Sequence, residues 1–91
     1  MRKHFNIKIH GHVQGVFFRV AACEKANELG VTGFVRNEPD GSVYIEAEGE
    51  ESALSEFLDW CHHGPPSARV GRMEVRKSKD LKRFEGFKTK R

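Results

Sequence analysis

Apolar and polar residues alternate near the start of the chain, Phe5, Ile7 and Ile9 against Asn6, Lys8 and His10. That two-residue period predicts a strand with one buried face, ending at Gly11. From Phe18 the period lengthens: Phe18, Ala22, Ala26 and Leu29 share one side of a helix, and Gly30 is placed to close it in a left-handed conformation. Val31 to Asn37 predicts a second strand, and Ser42 to Glu48 a third with Val43, Ile45 and Ala47 on one face. Between them Glu38-Pro39-Asp40-Gly41 has hairpin-turn chemistry, because proline fixes φ and Asp-Gly tolerates positive φ. Leu54, Phe57, Leu58 and Cys61 form the stripe of a second helix, from about Glu51 to His62, which Gly64-Pro65-Pro66 stops. Arg69 to Arg76 predicts a fourth strand. Val70 is out of phase there with Met73 and Val75, so a bulge is expected near Gly71. Beyond Ser78, Phe84 and Phe87 allow a short fifth strand at a sheet edge, guarded by lysines.

The element order is β-α-β-β-α-β with an optional fifth strand. It predicts an α+β, ferredoxin-like split β-α-β sandwich, an antiparallel sheet with two helices on one face. Ninety-one residues suffice for one such domain, spanning 1–91, and for no second core. The fold hosts many unrelated functions, so activity must be argued from a site.

Charge sharpens where that site lies. The net charge of +3 is uneven: residues 72–91 carry nine Lys or Arg against three acids, whereas the first 71 residues carry seven against ten. Every acid of that first part falls between Glu24 and Asp59, so residues 1–23 hold Arg2, Lys3, Lys8 and Arg19 with no acid. That stretch suits an anion. No apolar run approaches the roughly 18 residues of a membrane helix, and the N-terminus has no apolar block of a secretion signal, so a cytoplasmic protein is expected. Cys23 and Cys61 stand without CxxC spacing, which argues against a metal or redox motif and for free thiols.

The candidate chemistry lies in Gly11-His12-Val13-Gln14-Gly15-Val16-Phe17-Phe18-Arg19, between the first strand and the first helix. The first helical turn leaves N–H groups without intrahelical partners, and a glycine-containing turn before it can aim several at one anion. A strand-to-helix turn can also hold glycine for its backbone alone. Arg19 favours the anion: a cation near the positive end of the helix dipole is unfavourable unless a bound anion compensates, and its planar fork fits two oxygens of one phosphate. Asn37 ends a strand before a tight turn. It either stabilises that turn or orients a water with its amide.

Gly11-x-Val13-Gln14-Gly15-Val16-x-Phe18-Arg19, followed by Gly33-Phe34-Val35-Arg36-Asn37-x-x-Asp40-Gly41-x-Val43, resembles the two signatures of the acylphosphatase family in order and separation. Gly64-Pro65-Pro66-x-Ala68-x-Val70 resembles the family's stretch before its fourth strand, so the likeness spans the chain. The resemblance implies hydrolysis of acyl phosphates to a carboxylate and inorganic phosphate, without metal, cofactor or covalent intermediate. It assigns phosphate binding to Arg19, water positioning to Asn37, and a substrate cradle to Gln14, Gly15, Val16, Phe17 and Phe18 with the Arg19 amide. The expected partner is the small acyl phosphate alone, and the expected state a monomer. Where the family often ends in Phe-x-Ile-x-Tyr, this chain reads Phe87-Lys88-Thr89-Lys90-Arg91.

Other features weigh less. His10, His12, His62 and His63 lack the accompanying ligands of a metal site and are expected to be solvated or packed in loops. Glu46, Glu48, Glu50 and Glu51 are expected on a solvated face, and Trp60 beside the core stripe of its helix. An RNA-recognition domain shares the element order, yet the third strand's alternate face offers one aromatic, Tyr44, among carboxylates, so nucleic-acid binding is not expected. A non-catalytic copy of the fold would not need both Arg19 and Asn37.

Overall fold

The computed structural model describes residues 1–90. Strands β1 (Arg2–His12), β2 (Thr32–Asn37), β3 (Val43–Glu50), β4 (Arg69–Ser78) and β5 (Phe87–Lys90) form one sheet in the order β4-β1-β3-β2-β5, with helices α1 (Phe18–Leu29) and α2 (Glu51–His63). Alternation decides the faces. Phe5, Ile7 and Ile9 of β1 and Val43, Ile45 and Ala47 of β3 are buried in one core with Phe18, Ala22 and Ala26 of α1 and Leu54, Phe57 and Cys61 of α2. Trp60 joins this packing, its ring 5.4 Å from that of Phe18 and 6.2 Å from that of Phe57. Helix α1 closes on Gly30, whose φ is 73° and whose N–H donates to the carbonyls of Ala26 and Asn27.

The expected bulge is present. Opposite β1 the register passes from His10↔Arg72 to Gly11↔Val70, leaving Gly71 as the extra residue. The chains approach so closely there that a Cβ on Gly11, at φ +133°, would lie 2.2 Å from the Arg69 carbonyl oxygen. Cys23 and Cys61 are free thiols, and burial pushes both above the usual thiol range.

Two expectations are corrected. The fifth strand exists, but β5 pairs with β2 in parallel, so the sheet is mixed rather than wholly antiparallel. The cause is the connection: β4 and β5 occupy opposite edges, and residues 79–86 must cross the whole sheet between them. They cross the face away from the helices, which explains the second correction. Glu46 and Glu48 lie under this crossing segment and are buried, not solvated, whereas Glu50 and Glu51 are exposed as expected. The Lys82 and Arg83 amides donate to the Glu48 carboxylate, the latter at 2.8 Å. His4 Nδ1 stands 2.7 Å from Glu48 Oε2 and its Nε2 3.2 Å from Glu46 Oε1, while Phe84 stacks on the His4 ring. Burial pushes both carboxyls up, but hydrogen bonds and nearby cations outweigh it, from the Lys82 amide and His4 at Glu48 and from Tyr44 and Lys82 at Glu46, so both end below the usual range.

Candidate active site

The loop between β1 and α1 is pinned at two points. Val13 and Val16 sink into the core, 1 % and 5 % exposed, and Gln14 ties the loop sideways. Its Nε2 donates to the carbonyls of Glu38 (2.8 Å) and Ser42 (2.9 Å), in the β2–β3 turn just past Asn37. That turn is itself fixed: the Ser42 amide donates to Asp40 Oδ1 at 2.9 Å, and Lys8 Nζ reaches Asp40 Oδ2 at 3.0 Å. These contacts hold the Asp40 carboxyl well below its usual range, hydrogen bonds from Ser42 being the larger cause.

On either side of Val16 the backbone turns through left-handed conformations, Gly15 at φ 73° and Phe17 at φ 64°. Gly15 fits because it lacks a Cβ. Phe17 occupies the N-cap of α1 and supplies no side-chain cap, and the first turn carries no acid. The first helical bond, from the Ala21 amide to the Phe17 carbonyl at 3.1 Å, leaves the amides of Phe18, Arg19 and Val20 without an intrahelical acceptor. An uncapped, acid-free helix start carries a positive field.

Arg19 stands in that first turn, half-buried, and its Nη1 donates to the Lys90 carbonyl of β5 at 3.1 Å. This bond uses one of five guanidinium donors and steadies the group. Asn37, the last residue of β2, is also half-buried. Arg19 and Asn37, eighteen positions apart in sequence, line one cavity of about 230 Å³ with Val13, Gly15, Phe17, Phe18 and Val20. Among the described residues, the side chains that line it include no carboxylate, imidazole or thiol. Larger clefts lie elsewhere, among them those of about 480 and 650 Å³ beside Tyr44 and beside Ser52, and neither of these two is lined by Arg19 or Asn37.

The structure thus gathers Gly15, Phe17, Phe18, Arg19 and Asn37 at one place. Gln14 and Val16 stand behind it: the Gln14 side chain serves the hairpin and the Val16 side chain the core. Val13 and Val20 line the cavity without having been singled out. Val13 belongs to the loop motif, while Val20 follows Arg19 in the helix with no distinguishing signal. Among the histidines, His10 pairs with Glu74 at 2.6 Å rather than remaining free, a carboxylate that strand pairing supplies from β4.

Comparison with known proteins gives the family. The family model described as Acylphosphatase matches residues 5–89. An acylphosphatase of Methylococcus capsulatus is 45 % identical over 85 residues, 93 % of this chain and 92 % of that protein. One from Mannheimia succiniciproducens is 56 % identical over 66 residues, covering 72 % and 73 % of the two chains. The crystal structure of acylphosphatase from Bacillus subtilis superposes with a TM-score of 0.96 at 34 % identity, covering 98 % of this chain and 99 % of that one. Full-length HypF matches over 98 % of this chain but only 12 % of its own length, with a TM-score of 0.85 and 30 % identity. With the loop, Arg19 and Asn37 gathered at one cavity and residues 5–89 matched by the family model, this chain belongs to the acylphosphatase family.

Proposed function

We propose that this acylphosphatase hydrolyses the carboxyl-phosphate anhydride of acyl phosphates by direct attack of a water held by Asn37, with the phosphoryl group held by Arg19 and the backbone amides of Gly15 to Arg19. The observation that carries the reading is the shared cavity, where the guanidinium, the Asn37 amide and an uncapped helix start meet. Phosphoryl transfer through a loose transition state asks for positioning and for neutralised charge on the equatorial oxygens. The Arg19 fork and the loop amides supply both. The leaving carboxylate is already stable as an anion near neutral pH, so no general acid is required. Asn37 accepts a hydrogen bond from the water through its carbonyl and donates through its NH₂, which orients the nucleophile without strong basicity. The positive charge that phosphoryl transfer asks for is present on Arg19, which lines the cavity.

The substrate is thus a small acyl phosphate. Every group invoked comes from one chain, so the working unit is a monomer. The two unbridged cysteines suit a reducing compartment, and we place the reaction in the cytoplasm.

Benzoyl phosphate hydrolysis with added chelator, comparing wild type, Arg19→Ala and Asn37→Ala, tests the mechanism. Removing one preorganised donor costs on the order of 10²–10³ in rate, so Arg19→Ala is expected to be nearly inactive. Asn37→Ala loses kcat strongly while KM changes less, and chelation changes nothing. Turnover by Arg19→Ala within a few-fold of wild type, or loss of wild-type activity with chelator, would overturn it.

A further inference from the structure

Large apolar side chains left in water are few: among the described residues they are Met1, Phe17, Val20 and Val75. Two of these four, Phe17 and Val20, line the cavity that holds Arg19 and Asn37. Both side chains lie outside the core cluster and outside the apolar residues packed against it. Phe17 is 79 % exposed and Val20 55 %. Phe17 also adopts φ 64° and ψ 24°, a conformation that glycine or asparagine takes far more readily than an aromatic residue. An exposed ring in a strained position, at the mouth of a polar site, calls for a partner that buries it.

The substrate supplies one. An acyl phosphate has a charged end and an acyl end, and the charged end is drawn to Arg19 and the loop amides. The acyl end must then lie over the rest of the cavity. Val20, in the first turn of α1, lines the same cavity as Phe17 at its N-cap. We propose that Phe17 and Val20 form an acyl subsite that selects aromatic and longer aliphatic acyl phosphates over acetyl phosphate. The inference rests on reading Arg19 and the loop as the phosphate site. The phosphate end sets whether hydrolysis occurs, and the Phe17–Val20 rim sets which acyl group is preferred.

The readout is the ratio of kcat/KM for benzoyl phosphate to that for acetyl phosphate in wild type, Phe17→Asn, Phe17→Leu, Val20→Ser and the Phe17→Asn/Val20→Ser double variant. Asparagine tolerates the left-handed backbone and keeps the amide while removing the ring. The wild type favours benzoyl phosphate. Phe17→Asn lowers the ratio about tenfold, the effect of losing roughly 60 Å² of apolar contact, and Val20→Ser lowers it about threefold. The double variant brings the ratio near unity, and Phe17→Leu restores most of it. A ratio within twofold of wild type in the double variant overturns the acyl subsite and leaves the hydrolysis standing. Failure of the wild type to turn over either compound overturns the hydrolysis, and the subsite with it.

Discussion

Arg19 works through the shape of its group as much as through its charge. One nitrogen is held by the Lys90 carbonyl, so the guanidinium plane is fixed from one side while the other side faces the cavity. Lysine would bring the same charge as a mobile point and could not serve both partners in one plane. Arg19→Lys is therefore expected to lose on the order of 10² in kcat for benzoyl phosphate, with weaker inhibition by inorganic phosphate. Retention of more than a tenth of wild-type kcat would show that charge alone suffices. Arg19 and Asn37 are legible in the sequence because each has a chemical oddity of position: a cation at a helix start, an amide at a strand end. Val20 has none, and only its exposure beside the cavity marks it. Gln14 is legible by motif but not by role, since its two carbonyl partners lie 24 and 28 residues away.

At the scale of elements, the strands and helices follow from period and punctuation, and the bulge at Gly71 follows from one residue out of phase. The fate of the polar sheet face does not. Alternation places Glu46 and Glu48 opposite the helices, and that pattern reads the same whether water or a later segment covers them. The cover comes from Lys82 and Arg83, 34 and 35 residues beyond Glu48. The same crossing sets the direction of β5, which no local pattern encodes. It also makes Glu48 a structural anchor, since its carboxylate accepts from two backbone amides and stands against His4. Removing it takes the acceptor from both amides and leaves His4 without its carboxylate. Glu48→Ala is expected to cost about 3–5 kcal/mol in urea unfolding, as for one partner of a buried pair, and Glu48→Gln less because it keeps an accepting oxygen. A cost below 1 kcal/mol for Glu48→Ala would mean that the crossing segment is held by Phe84 and Phe87 alone.

For the whole molecule, the same carboxylates set the response to acid. The site's charge sits on the Arg19 guanidinium, whereas the fold's buried charge includes two carboxylates, Glu46 and Glu48. Glu46 and Glu48 are faced by His4, Lys82, Tyr44 and the Lys82 and Arg83 amides, and both carboxyls are held below their ordinary value of 4.5. A lowered folded-state value means that the unfolded chain binds protons first as the pH drops. The stabilisation is therefore complete above the unfolded value and is lost as pH falls through the folded one. These two carboxylates contribute no slope between neutrality and about pH 5, and a progressive loss of stability below it. Thermal unfolding followed from pH 7 to pH 3 should show Tm declining only in the acid part of that range. In Glu48→Gln, with one of the two groups made untitratable, the acid decline should be shallower while the neutral Tm is already lower. An equally steep acid decline in that variant would assign the acid response to the exposed pairs, such as Glu74 with His10 and Arg72, instead of to the crossing segment.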